Sequence, residues 1–271
     1  MTPTANPPTA TPEPPTPAPS PTPEATATEE ERPADMIRIT IVYDNYPYKA
    51  GLGTAWGFSA YITYKDQNIL FDTGGSGSLL LSNLAALKIP PGGIQNVVLS
   101  HEHNDHTGGM QSLLNAGAEP KLYVPPSFSA GIKTQFRNQT KLIEARPGLK
   151  IAERMYTIGE MPGPPPEQGL VIDTPEGLVV ITGCAHPGVE KMVLEAKRQY
   201  KEDIYLVLGG FHLGSDSDAR INAIIKEFQR LGVKYVAPCH CTGDHAIGMF
   251  RNAFGEDFIR VGVGAVIEIE A

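Results

Sequence analysis

From Met36 onward, apolar and polar positions change rhythm repeatedly, and the changes mark out a series of short elements. Met36–Tyr43 (MIRITIVY) and the runs 69–71, 96–99, 122–124, 178–182, 204–208 and 235–237 are apolar stretches of strand length. Between them, 78–87, 189–201 and 218–231 carry helical spacing. In the last of these, Ile221, Ile224, Ile225 and Phe228 fall at i, i+3, i+4 and i+7, a single apolar stripe that one packed face of a helix requires. Strands interleaved with helices over this length predict an α/β layered domain. Periodicity alone is compatible with one doubly wound sheet or with two sheets packed together. No internal repeat of solenoid length is present.

Residues 1–35 break this rhythm completely. They hold eleven prolines and eight threonines but no Ile, Leu, Val, Phe, Tyr or Trp. Such a segment has nothing to bury against the entropy of ordering, so a disordered Pro/Thr-rich tail is expected, followed by one domain over 36–271. Its composition suits a semi-rigid linker that holds an exported domain off a surface. The stretch after Met1 has neither a basic nor an apolar signal region. The expectation is therefore an extracytoplasmic domain whose signal has been removed, with a cytoplasmic location as the alternative. Deleting residues 1–35 is expected to leave the thermal midpoint and turnover unchanged. A midpoint several degrees lower would show that the tail docks on the domain.

Charge removes some classes of function. Of the 271 residues, 22 are Lys or Arg and 30 are Asp or Glu, a net charge of −8. No nucleic-acid partner is expected from that balance, because phosphate backbones need clustered positive charge. No window approaches the roughly 20 apolar residues of an integral membrane span. Three cysteines do not make a disulfide framework.

The histidines point to a chemistry. All seven lie at or beyond position 101. The apolar run ending at Leu99-Ser100 leads directly into His101-Glu102-His103-Asn104-Asp105-His106, with Gly108-Gly109 behind. Side chains at i and i+2 of an extended segment share a face, so His101 and His103 can converge on one ion, and the turn beyond carries Asp105 and His106 toward a second position. Three imidazoles and a carboxylate within six residues suit zinc, with iron or manganese as alternatives. Gly183-Cys184-Ala185-His186, Gly210-Phe211-His212 and Cys239-His240-Cys241 each bring a further histidine to a strand end, where α/β folds assemble their sites. The cysteines beside these histidines are expected to be small packing residues. If 239–241 is extended, Cys239 and Cys241 point away from the face that His240 shows.

Together, His101-x-His103-x-Asp105-His106, His186 and His240, with Phe71-Asp72-Thr73-Gly74 upstream, resemble the metallo-β-lactamase fold superfamily. The likeness runs from Met36 to the C-terminus. Asp44-Asn45, Trp56-Gly57-Phe58-Ser59, the Gly183–Gly188 segment, Gly209-Gly210-Phe211-His212-Leu213 and His240-Cys241-Thr242-Gly243 narrow it to one subgroup. These are metal-dependent hydrolases often labelled dihydropterin ribofuranosyl-aminobenzene phosphate synthases. The resemblance implies an αββα sandwich of two mixed β-sheets flanked by helices, with the site at one edge of the sheets. It implies two divalent metal ions, zinc first, one held by His101, His103 and His186, the other by Asp105, His106 and His240. Asp72 would orient a ligand or the histidine loop.

One departure from the superfamily stands out. The bridging Asp expected after the fourth-motif strand is absent, and Gly209-Gly210-Phe211-His212 stands in that region. His212 is then a substitute ligand, a proton donor or a substrate contact. Asp216 and Asp218 follow closely, with Asp218 expected to cap a helix.

The expected activity is hydrolysis of a small-molecule ester, lactone or phosphoester by metal-activated hydroxide, with Asp105 and His212 as catalytic groups. The alternatives are a transferase or synthase on a phosphorylated pterin-like substrate, and a diiron redox module. The synthase reading calls for an anion pocket, and Lys133, Arg137 and Lys141 are the modest basic cluster available. Loops 46–54 and 159–168 are expected to wall the pocket.

Overall fold

The computed structural model describes residues 36–271, so the tail expected over 1–35 lies outside the described residues. In chain order the elements are β1 (Met36–Tyr43), β2 (Ser59–Tyr64), β3 (Gln67–Phe71), α1 (Gly77–Ala86), β4 (Asn96–Val98), α2 (Asn104–Thr107), α3 (Met110–Asn115), β5 (Lys121–Val124), α4 (Ala130–Arg137) and β6 (Lys141–Glu144). There follow β7 (Lys150–Ala152), β8 (Met155–Thr157), β9 (Leu170–Thr174), β10 (Gly177–Thr182), α5 (Val189–Tyr200), β11 (Ile204–Gly210), α6 (Asp218–Leu231), β12 (Tyr235–Cys239), α7 (Asp244–Phe254) and β13 (Val266–Glu270). They form two mixed sheets, ordered β13-β1-β2-β3-β4-β5-β6 and β12-β11-β10-β9-β8-β7. Of the two architectures that periodicity leaves open, two packed sheets is the one adopted.

Three apolar layers explain why the strands are buried on both faces. Between the sheets, Ile37, Ile39, Ile41, Ile62, Ile69 and Phe71 meet Leu170, Ile172, Val179, Ile181, Leu206 and Leu208. Alternate residues face outward, so Leu178 and Val180 of β10 pack under α5 and α6, on Val189, Met192, Val193, Ile221, Ile224 and Phe228. On the other sheet, Leu70, Val97 and Leu122 pack under α1 and α3, on Leu80, Leu84, Met110 and Leu113. A sheet covered on both faces reads as continuous apolar runs, the pattern that marks these strands in the sequence.

Strands β3, β4, β5 and β6 run parallel, as do β10, β11 and β12. Their carboxyl ends therefore point the same way within each sheet, and the loops leaving β3, β4, β10, β11 and β12 carry the site. One local expectation is corrected. Helix α6 is capped by Ser217, whose side chain accepts from the Arg220 N–H. Asp218 instead is the first helical residue and hydrogen-bonds His245 Nε2 at 2.7 Å. No helix among the described residues is long and apolar enough to cross a membrane.

Candidate metal centre

Strand β4 ends at Val98, and the chain then passes through Ser100-His101-Glu102-His103 in extended or bent conformation before the single turn of α2. His101 and His106 are fully buried. Their rings lie 4.2 Å apart, His101 and His103 4.7 Å, His101 and His186 4.7 Å, and His103 and His186 4.9 Å. On the other side His106 meets His240 at 5.0 Å, while Asp105 Oδ2 stands 3.5 Å from His106 Nε2 and 3.3 Å from His240 Nε2. All six side chains expected to hold metal thus come together. His212 joins them through His186, with ring centroids 4.3 Å apart.

The outer hydrogen bonds decide which nitrogens face inward. Ser100 Oγ donates to Asp72 Oδ2 at 2.7 Å, so its remaining capacity toward His101 Nδ1, 2.9 Å away, is as acceptor. That puts the proton on His101 Nδ1 and the lone pair on Nε2. His106 Nδ1 donates to Asp72 Oδ2 at 2.7 Å. His240 Nδ1 donates to Asn45 Oδ1 at 3.0 Å, and Asn45 Nδ2 returns a bond to the His240 carbonyl at 3.2 Å, which fixes the amide orientation. Three imidazoles therefore present Nε2 to the same space. His186 Nε2 is buried there with no hydrogen-bond partner among the described residues. Inward-facing imidazole nitrogens, an orphaned nitrogen and one carboxylate are the donor set that a divalent first-row metal takes once their protons leave, and the residues fit.

Electrostatics agree. Burial opposes the charge of Asp105, yet hydrogen bonds from His106 and His240 outweigh it and hold the carboxyl well below the usual range. Burial pushes His101 far below the ordinary imidazole value, reinforced by His106, His186 and His103, so that ring stays neutral. Burial and then His212 lower His186 to about 4. His106 goes the other way. Burial disfavours its charge, but Asp72 and Asp105 raise it to about 10, so metal uptake at its Nε2 displaces a proton. His212 is raised, chiefly by its hydrogen bond with Cys241.

Asp72 is fully buried and anchors this network, as the sequence resemblance implies. Its second carboxylate oxygen, Oδ1, accepts the Ser100 N–H at 2.7 Å. Asp72 (φ 55°), Ala185 (φ 60°), His212 (φ 54°) and His240 (φ 50°) all occupy the left-handed region that non-glycine residues avoid. Such outliers cluster where surrounding structure over-determines a functional loop.

Glu167 escapes the sequence reading. It ends a Pro-rich loop expected to wall the pocket, but Glu167 and Gln168 are both fully buried. Glu167 Oε1 accepts the backbone N–H groups of Gly183, Cys184 and Ala185 at 3.0, 2.9 and 2.9 Å, and Oε2 accepts that of His186 at 2.8 Å. One carboxylate thus holds the whole loop that delivers His186. Burial pushes it up to about 7, against the pull of these N–H donors. Glu167→Ala leaves four buried donors without their acceptor, each worth about 1–3 kcal/mol, so a midpoint drop of roughly 6 °C or more is expected by calorimetry. An unchanged midpoint would show that other contacts hold the loop.

The cysteines are corrected in part. Cys239 packs between the sheets as expected. His240–Thr242 forms a 3-10 turn, however, not an extended segment, and this swings Cys241 back toward His212 and Cys184. Cys184 Sγ lies 3.2 Å from His106 Nε2. Two members of the basic cluster, Arg137 and Lys133, share one carboxylate, Glu144, at 2.8 and 3.3 Å.

A two-sheet sandwich with a histidine-rich cluster at its strand ends is a fold that holds metal, and comparison supplies the family. The sequence profile of the metallo-β-lactamase superfamily matches residues 57–240, and the chain belongs to that superfamily. It is 30% identical, over 86% of its own length and 97% of the relative's, to a Methanocaldococcus jannaschii protein named 7,8-dihydropterin-6-methyl-4-(beta-D-ribofuranosyl)-aminobenzene-5'-phosphate synthase. A crystal structure described as a metal-dependent hydrolase of the beta-lactamase superfamily aligns with TM-score 0.74 and 28% identity, over 87% of this chain and all of that one. The metallo-beta-lactamase fold protein YhfI from Bacillus subtilis aligns with TM-score 0.65 at 19% identity, over 86% of this chain and all of its own, a likeness of fold.

Proposed function

We propose that the chain is a metal-dependent hydrolase of a small ester, lactone or phosphoester. The observation that carries this reading is the convergence of His106 Nε2 and His240 Nε2 on Asp105, with His101, His103 and His186 packed ring to ring beside them. His101, His103 and His186 would hold one divalent ion, and Asp105, His106 and His240 a second. Zinc is the first choice for such nitrogen and oxygen donors, with iron or manganese as alternatives. A divalent ion there supplies a Lewis acid and lowers the pKa of water to about 7.

The chain's own groups do the rest. Asp105, ionised throughout the physiological range, accepts a hydrogen bond from the attacking water and aims it. His212, raised by Cys241, donates a proton to the departing oxygen. Trp56 is 59% exposed and its ring lies 4.9 Å from that of His240, offering an aromatic face to the substrate beside the reacting centre. The test is a panel of esters, lactones, phosphodiesters and phosphorylated pterins, run with metal content measured on the same protein. No turnover by metal-replete protein on any of the hydrolase substrates would overturn the reading.

The second reading, a synthase on a phosphorylated pterin-like substrate, is favoured by the named Methanocaldococcus relative. Its anion pocket would not be Lys133, Arg137 and Lys141. A cavity of about 490 Å³ lined by Tyr46, Asp244, Arg251 and Arg260 offers two guanidinium groups instead. Turnover of a phosphorylated pterin, lost in Arg260→Ala while simple esters are untouched, would select this reading.

A further inference from the structure

Strand β11 cannot supply a bridging side chain. A Cβ on Gly209 would stand 2.1 Å from the Thr182 carbonyl oxygen. One on Gly210 would stand 2.4 Å from the Gly183 oxygen and 2.7 Å from Cys241 Sγ. Real Cβ atoms do not approach backbone so closely, so both positions are closed by the neighbouring β10 loop. Two divalent ions beside one carboxylate and five imidazoles would leave most of their charge unbalanced. A side-chain anion shared by both ions would have to come from another strand end.

The structure assigns that role to Cys184: we propose that its thiolate is the ligand shared by the two metal subsites. Cys184 Sγ lies within 4.8 Å of the donor atoms of Asp105, His106 and His240, and within the same distance of those of His101 and His186. The first set is the one expected to hold one ion, the second holds two of the three residues expected for the other, and this sulfur belongs to both. Cys241 Sγ groups with Cys184 and His212 instead. Cys184 is 3% exposed, so its sulfur faces the cluster and not solvent. Its backbone is fixed as firmly as a ligand requires, since Glu167 holds the N–H groups of residues 183 to 186. Thiolate sulfur binds zinc strongly at about 2.3 Å, and the thiol proton leaves to solvent on metal uptake. A second anion then joins Asp105, one charge for each ion.

The inference rests on the two-metal reading, and the experiment separates them. Apoprotein is loaded with Co(II) alone, metal equivalents are counted by mass spectrometry, and the near-ultraviolet absorption is recorded, where thiolate-to-cobalt charge transfer appears. Wild type is expected to bind two equivalents and show the band. Cys184→Ala is expected to lose it and to bind metal roughly 10–100-fold more weakly, at least the scale of losing an outer partner of a ligand. Cys184→Ser is expected to recover part of the affinity without the band, and Cys241→Ala to keep the band. Wild type with two cobalt equivalents and no sulfur band overturns the proposal without needing any variant to fold. Loss of the band in Cys241→Ala but not in Cys184→Ala overturns it too. Wild type that binds no metal overturns both this proposal and the metal-site reading beneath it.

Discussion

Replacing His103 or Asp105 with alanine is expected to take hydrolysis down to the uncatalysed background while the fold survives. The two halves of that statement have different physical sources. On the proposed two-ion site, loss of His103 removes one of three donors from its subsite, and loss of Asp105 removes the carboxylate that faces both His106 and His240. With either gone, metal is held too weakly to polarise a substrate or lower the pKa of water. Stability, by contrast, comes from three apolar layers that do not include these side chains. His103 is exposed and Asp105 only half-buried, so neither truncation opens a cavity. Steady-state assays beside a thermal melt check both halves. Full activity in either variant would sink the metal mechanism, and chelation of the wild type should mimic both variants.

A different outcome is expected one step further out. Asp72 is buried and accepts from Ser100 and His106, so removing it strands polar groups in the interior as well as loosening the ligands. Truncation there mixes stability with metal affinity, whereas His103 and Asp105 isolate the chemistry. That contrast follows from burial, not from distance to the metal.

The candidate site is legible in the sequence because four of its side chains are packed into six residues after an apolar strand. Local spacing alone brings such residues together. Strands β1, β10 and β11 were legible for a related reason, since both their faces are covered and the apolar run is unbroken. Strand β2 was not, because Ser59-Ala60-Tyr61-Ile62-Thr63-Tyr64 is fully buried yet mixes small, polar and aromatic residues. Helix α7 was hidden by His245, Gly248 and Asn252, which break its apolar stripe. Glu167 was invisible for a deeper reason. Its partners are backbone N–H groups 16 to 19 residues away, which have no side-chain signature. The direction of Cys241 depends on whether 239–241 is extended, and the 3-10 turn after Cys239 decides against it.

His212→Ala is expected to lower kcat by roughly 10²–10⁴-fold while leaving metal content unchanged, the scale of a lost proton donor or oxyanion contact. The structure narrows the three roles open to this residue. Its ring packs on His186 at 4.3 Å and its nitrogen engages Cys241, so it approaches the site from beside the first subsite. On either side of it, Phe211 and Leu213 are buried, and Phe211 stacks edge-on with Phe228 and Phe250 at 5.8 and 5.4 Å. Between those two anchors the His212 backbone lies in the left-handed region, and its ring meets His186 of the candidate site. A ring held at a raised pKa in that position is suited to give a proton rather than a lone pair. His212→Gln, which keeps a hydrogen-bond donor but no titratable proton, should recover oxyanion stabilisation and not acid catalysis. Partial rescue on substrates with good leaving groups, and none on poor ones, marks the acid. Loss of about one metal equivalent in His212→Ala would make it a ligand instead, and unchanged rates with unchanged metal would leave it only a packing partner of His186.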